Sequence, residues 1–130
     1  SEAARAFTNH LNNKKNLPTA QDILKEGKFM QRLSSLNQDE KITLVLRINK
    51  YIESISETDM IKIIDLSEHQ TYAKNIKLLS EYVPKDSVFA ILRNLENLIQ
   101  KSSGLKRAFY DKLFEAVAIE LNDESWFQNL

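Results

Sequence analysis

Between residues 38 and 55, apolar residues recur at steps of three and four, and this segment predicts a long amphipathic helix. Asn37 stands just before the run and Glu40 follows it by three residues, which is the pattern of a capping box. Because the segment is so rich in apolar residues, we expect the other helices of the fold to surround it. The predicted buried positions are Ile42, Val45, Ile48, Ile52 and Ile55, widened by Leu44 and Leu46.

The same spacing predicts further helices on both sides of this segment. Pro84 and Gly104 predict two helix ends, because proline cannot continue the hydrogen-bonding pattern and glycine readily adopts the left-handed conformation. Three capping pairs predict helix starts: Thr19 with Asp22, Ser56 with Asp59, and Ser67 with Gln70. The predicted buried faces are Ile23, Leu24, Met30 and Leu33; Tyr72, Ala73, Ile76, Leu79 and Val83; Val88, Ile91, Leu92, Leu95, Leu98 and Ile99; and Leu105, Phe109, Leu113, Ala116, Val117 and Leu121.

Two places leave more than one local structure open. Gly27 falls inside the helix predicted to end near Ser35, where a glycine costs about 1 kcal/mol relative to alanine. We expect either a close approach of a neighbouring helix at Gly27, or a bend or break there. The apolar run 60–66 is short enough to be a strand, but the sequence offers no second strand to pair with it, so we predict helix.

These patterns predict an all-α fold, a compact bundle of about six or seven helices whose short connections make neighbours roughly antiparallel. We assign residues 1–130 to a single helical domain, with 1–17 as a looser N-terminal helix or arm. A shift of 46 residues aligns Ile42 with Val88 and Val45 with Ile91, a period typical of HEAT-like helical repeats. Two units are fewer than repeat proteins usually need, so the short repeat is kept as an alternative.

The composition of the chain mainly excludes certain kinds of chemistry and certain partners. The chain has no Cys, which excludes disulfides and thiolate chemistry and fits a reducing compartment. Its 18 basic and 18 acidic side chains cancel, so we do not expect nucleic acid as the main partner. No apolar run approaches the roughly 20 residues that span a bilayer. The chain begins at Ser1 rather than Met, which fits an excised domain of a longer protein or a processed product.

One group of residues could carry chemistry. Asp65 and His69 are four residues apart, which would place them on one helical face, with Glu68 beside them. Such a group could begin a metal or acid–base site, but zinc needs three or four converging ligands and His10 belongs to no motif. Helix-surface ion pairs explain the same spacing. The two glycines build no phosphate loop, and we predict no catalytic residue, no cofactor and no metal.

Four residues are predicted to bind a partner: Trp126, Phe127, Lys106 and Arg107. Aromatic residues are enriched at interface hot spots, although Trp126 and Phe127 could instead close the core as a last turn. Lys106 and Arg107 belong to a basic cluster that could equally be a solvated helix end. The apolar excess of segment 38–55 also has two interpretations, burial on several sides or a groove for a partner helix.

The last sixteen residues carry Glu115, Glu120, Asp123 and Glu124 before a closing run of apolar and aromatic residues. This segment resembles the acidic C-terminal export signals of bacterial type IV secretion effectors, and the Asn-, Lys- and Ile-rich composition is similar to such proteins. The resemblance implies an effector domain that is delivered to a host cytosol and binds a host protein there.

We therefore expect a non-catalytic, cytoplasmic protein–protein interaction domain with a protein partner and no membrane span. Three alternatives stay open. They are the effector domain, an enzyme that uses Asp65, Glu68 and His69, and a structural helical homo-oligomer.

Overall fold

The computed structural model describes residues 17–27 and 30–122. Within these ranges the chain forms seven helical segments and no strand, so the all-α prediction is confirmed. A π-helical turn over Asp22–Glu26 and a 3-10 helix over Met30–Ser35 come first. Five α-helices follow: α1 (Gln38–Ser54), α2 (Glu57–Asp65), α3 (Glu68–Leu79), α4 (Lys85–Lys101) and α5 (Gly104–Asn122).

The start of α1 is fixed by the capping box predicted from the sequence. The Glu40 backbone N–H donates to Asn37 Oδ1 at 2.9 Å, and the Asn37 N–H donates to Glu40 Oε1 at 3.0 Å. These bonds satisfy backbone N–H groups that the first helical turn leaves without partners, which is worth about 1 kcal/mol. The other two confirmed caps are Thr19 with Asp22 and Ser56 with Asp59.

The predicted helix through Gly27 is interrupted at that glycine. Gly27 adopts the left-handed conformation, with φ of 63°, and the 3-10 helix begins only at Met30. The side chain of Asn75, on α3, lies against Gly27 and donates a 2.6 Å hydrogen bond to the Leu24 carbonyl. Both expectations at Gly27 are therefore confirmed, because a neighbouring helix approaches closely and the helix breaks.

The packing centre of the described residues is α5, and the prediction that the other helices surround α1 is wrong. Helix α5 packs extensively against α3 and α4 and also contacts α2, whereas α1 packs mainly against α4. The reason lies in the buried face of α5, which carries two aromatic rings and three aliphatic side chains. These residues are Phe109, Tyr110, Leu113, Val117 and Leu121.

Helix α1 buries a narrower stripe than its sequence predicts. Leu44, Val45, Ile48 and Ile52 are buried in α1, and Ile55 is buried just after it. Ile42 is 44% exposed and Leu46 is 62% exposed, so the predicted burial of these two residues is wrong. These two exposed aliphatic side chains lie beside the contact between α1 and α4.

A left-handed residue separates α2 from α3. Helix α3 begins directly after Ser67, as predicted, although Ser67 has φ of 56° and its side chain makes no capping hydrogen bond. Run 60–66 is helical up to Asp65, as predicted. The break turns α3 away from the axis of α2, and it bears directly on the residues proposed for chemistry.

The lengths of the helices bear on the predicted HEAT-like repeat. Helices α1 and α4 each have 17 residues, but α2 has 9 and α5 has 19, so the two aligned units differ in their second helix. The HEAT-like repeat stays a prediction. The arm predicted for residues 1–17 lies outside the described residues except for Leu17, which is buried. None of the described helices is long and apolar enough to cross a bilayer.

Candidate functional site

A surface groove, here called the α1–α4 groove, runs between helices α1 and α4. It consists of two adjoining hollows of about 200 and 640 Å³, which share Leu46, Asn49 and Ala90. The smaller hollow includes Ile42 and Asp86, while the larger one includes Glu53 and Asn97. Residue numbers therefore rise together on both sides of the groove, which shows that α1 and α4 run in the same direction.

The groove is built by a second stripe on each helix, beside the stripe that faces the core. On α1, positions 42, 46, 49 and 53 follow one another at steps of four, three and four. On α4, positions 86, 90, 94 and 97 follow at steps of four, four and three. Both sets have the spacing of one helical face. Ala90 sits where the two hollows meet, and its small side chain keeps the groove open.

One end of the α1–α4 groove is apolar. Ile42 and Leu46 are one helical turn apart and both expose a large part of their side chains to solvent. Ala90 faces them from α4. Single exposed aliphatic residues are ordinary on protein surfaces, but two neighbours in a concave site form a small patch that a partner could cover.

The other end of the groove is lined by carboxamides. Asn94 Nδ2 donates to Asn49 Oδ1 at 3.3 Å, which links α4 to α1 across the groove floor. Asn97 lies one turn beyond Asn94 and is exposed. Each carboxamide has two donor hydrogens and an acceptor oxygen, so the single bond between Asn49 and Asn94 leaves both donors and acceptors available.

Charged side chains flank these carboxamides. Lys50 and Glu53 come from α1 and Arg93 comes from α4, and all three are exposed. This end of the groove therefore carries two positive charges and one negative charge. Asp86 places a single negative charge at the apolar end.

A smaller surface cleft of about 320 Å³ is lined by residues of α3 and α5. His69 and Lys74 line it from α3, and Lys112, Glu115 and Ile119 line it from α5. The Nδ1 atom of His69 is buried and has no hydrogen-bond partner. The cleft carries charges of both signs and an exposed isoleucine, which makes it a control surface for tests of the α1–α4 groove.

The residues proposed for chemistry are divided between two helices. Asp65 is the last residue of α2, whereas Glu68 and His69 are the first two residues of α3. The left-handed Ser67 lies between them, so the prediction that Asp65 and His69 share one helical face is wrong. Within residues 17–27 and 30–122, no group of three His, Cys, Asp or Glu side chains converges in a way that could hold a metal ion.

The structure describes two of the four predicted partner-binding residues. Lys106 and Arg107 are exposed near the start of α5, and they do not line the α1–α4 groove. Trp126 and Phe127 lie outside the described residues. Their role as partner-binding residues stays a prediction, as does the resemblance to export signals, which includes Asp123 and Glu124.

Tyr72 on α3 and Tyr110 on α5 link these helices to α1 through their hydroxyl groups. The hydroxyls of Tyr51 and Tyr72 are 3.2 Å apart, and Tyr110 donates to the Ile52 carbonyl at 3.3 Å. Burial raises the pKa of Tyr72, and the hydrogen bond with Tyr51 raises it further. Burial also raises the pKa of Tyr110. Both groups therefore stay protonated near neutral pH and serve as structural hydrogen-bonding groups.

Comparisons of the chain with protein-family models, with curated proteins and with solved structures found no match. A groove for a partner helix was one of the two interpretations of segment 38–55. Apolar spacing alone did not separate the exposed Ile42 and Leu46 from the buried Val45, Ile48 and Ile52.

Proposed function

We propose that this chain is a non-catalytic protein-interaction domain that binds a segment of a partner protein in the α1–α4 groove. The observation that carries the proposal is the pair Ile42 and Leu46, exposed side by side in a concave site. Fully burying an aliphatic side chain of this size is worth about 1.5–3 kcal/mol relative to leaving it in water. Covering both residues would supply a useful fraction of the free energy of binding.

Other exposed aliphatic residues support the choice of this surface by contrast. Ile61, Leu66 and Leu78 are also exposed, but none of them lines the α1–α4 groove or the α3–α5 cleft. Ile119 lines the α3–α5 cleft, where Ala73 and Ala116 are the other apolar residues. Only the α1–α4 groove, among these described surfaces, joins two large exposed aliphatic side chains with a polar end that could orient a partner.

The chemistry of the groove favours recognition over catalysis. Its polar floor consists of Asn49, Asn94 and Asn97, whose carboxamides carry no proton that titrates near neutral pH. Its two carboxylates, Glu53 and Asp86, stand at opposite ends. Helix α1 rises about 16 Å between Ile42 and Glu53, so these carboxylates are too far apart to act on one substrate atom.

The test is a selection of peptides from a displayed random library on the folded wild-type domain. We expect enriched peptides whose affinity falls at least about tenfold, or about 1.4 kcal/mol, for the Leu46→Glu variant. The reason is that the charge must be desolvated where the partner places an apolar side chain. The matched control is Ile119→Glu, which changes an equally exposed aliphatic residue on α5 and should leave the affinity unchanged.

Two outcomes would overturn the proposal. Failure of the wild-type domain to enrich any peptide would argue against a peptide-binding groove altogether. Enriched peptides that lose affinity for the Ile119→Glu variant but not for the Leu46→Glu variant would move the binding site to the α3–α5 cleft. Far-UV circular dichroism of both variants keeps either outcome separate from a failure to fold.

A further inference from the structure

We infer that the occupant of the α1–α4 groove is an extended peptide segment of another protein, with an apolar and an acidic side chain two residues apart. This inference rests on the proposed function and makes it more specific. It draws on two properties of the groove: its row of carboxamides and the distance between its apolar and basic parts.

The carboxamides favour an extended chain over a helix as the occupant of the groove. The backbone N–H and C=O groups of an extended peptide have no internal partners, whereas those of a helix are already paired. Asn49, Asn94 and Asn97 present donors and acceptors along the groove, and each could bond to one peptide group of the occupant. A helical occupant would bury these carboxamides against side chains and leave part of their capacity unused.

The spacing of Leu46 and Lys50 sets the pattern of side chains. They are four residues apart on α1, a rise of about 6 Å. Side chains two residues apart on an extended chain point the same way and are separated by about 6.6 Å. An apolar side chain against Leu46 and Ala90 would therefore place the side chain two residues away beside Lys50. The full groove, about 16 Å long, would hold about five residues.

The positive charges of Lys50 and Arg93 favour an acidic side chain at the position of the occupant beside Lys50. Lys50 and Arg93 reach the groove from opposite helices, and Glu53 offsets only one of the two positive charges. An acidic side chain would gain two attractive partners, and a basic one would be repelled by both. Both basic residues are exposed, so each charge pair is worth only a fraction of a kcal/mol, and the charges set specificity more than affinity.

The experiment uses two synthetic glutamate peptides, Gly-Ser-Leu-Ser-Glu-Ser-Gly and the same sequence in reverse order. Each is compared with a counterpart in which lysine replaces glutamate. Binding is measured by amide chemical-shift titration, which suits the weak affinity of a short peptide. We expect one order of the glutamate peptide to bind at least about fivefold more tightly than its lysine counterpart at low salt. The shifted amides should lie along α1 and α4.

A charge-reversed domain provides the matched control. In the Lys50→Glu/Arg93→Glu double variant, we expect the preference to reverse, so that the lysine peptide binds more tightly than the glutamate peptide. We also expect Asn94→Ala to weaken the glutamate peptide about fivefold, which corresponds to one hydrogen bond of about 1 kcal/mol. These side chains are at the surface of the groove, so the folded state should persist in both variants.

The outcomes separate this inference from the proposed function. If neither charge preference nor its reversal is seen, or if library-selected peptides bind through Leu46 as helices, the inference is wrong while the interaction groove stands. If no peptide of any kind responds to Leu46→Glu, the proposed function fails as well. A peptide that shifts only amides along α3 and α5 would contradict both.

Discussion

Replacing Phe109 with alanine is expected to lower the free energy of unfolding by about 3–5 kcal/mol, the usual cost of truncating a buried phenylalanine. Phe109 is fully buried on α5, the helix at the centre of the packing, and its ring meets the Tyr110 ring edge-on with centroids 5.6 Å apart. The variant loses the apolar contacts of the ring and leaves a cavity in the core. Domains of this kind are stabilised by about 5–15 kcal/mol in total, so the loss should be readily measurable.

The measurement is urea unfolding followed by far-UV circular dichroism, with the midpoint falling and the slope unchanged. The control is Ile119→Ala on the same helix, where the side chain is 58% exposed and the change should be within about 0.5 kcal/mol. If Phe109→Ala does not fold, Phe109→Leu provides a milder change of the same sign. Equal effects of Phe109→Ala and Ile119→Ala would contradict the placement of α5 at the centre.

Replacing Gly27 with alanine is expected to lower the free energy of unfolding by about 2–5 kcal/mol. Gly27 has φ of 63°, where a residue with a Cβ atom costs about 1–2 kcal/mol. A Cβ atom there would also stand 2.5 Å from Asn75 Oδ1, so the Asn75 side chain would have to move. Its movement would break the bond to the Leu24 carbonyl and leave a buried acceptor unpaired, at a further cost of about 1–3 kcal/mol.

The chain offers a close control for this prediction. Gly104 has nearly the same conformation, with φ of 60°, but nothing lies within 4 Å of the position where its Cβ atom would be. Gly104→Ala should therefore cost only the conformational part, about 1–2 kcal/mol. Thermal or urea unfolding of both variants measures the difference. Equal losses would show that the contact between Gly27 and Asn75 adds nothing.

Local features of this fold could be predicted from the sequence because their partners are close in the chain. The capping box of α1 joins Asn37 to Glu40, only three residues away, and both hydrogen bonds are present. Pro84 marks a boundary as predicted, because it directly precedes α4, but α3 already ends at Leu79, so the predicted continuation of that helix to Val83 is wrong. The stripe Val88, Ile91, Leu92 and Leu95 repeats at helical spacing and is buried as predicted.

Features that depend on distant residues could not be predicted in this way. Asn75 and Leu24 are 51 residues apart, and no local pattern indicates that one would bond to the other. Ile42 and Leu46 were predicted to be buried because apolar spacing shows which residues share a face, but not whether a neighbour covers that face. That depends on α5 rather than α1 being the most extensively packed helix of the described residues.

The candidate functional residues show the same difference between local and distant features. The spacing of Asp65 and His69 suggested one face, but the left-handed Ser67 separates the two helices on which they lie. Serine in this conformation is uncommon and has no reliable sequence signature. The groove needs α1 and α4 to lie side by side, and its polar floor forms only because Asn49 and Asn94, 45 residues apart in the chain, meet.

The central claim is that the α1–α4 groove is the binding surface, and site-specific photo-crosslinking tests it most directly. A photoreactive amino acid would replace Leu46 in one version of the domain and Ile119 in another, both exposed positions. Each version would be irradiated with the same library-selected peptide. We expect the peptide to crosslink from position 46 and not from position 119. Crosslinking from position 119 alone would contradict the account and assign binding to the α3–α5 cleft.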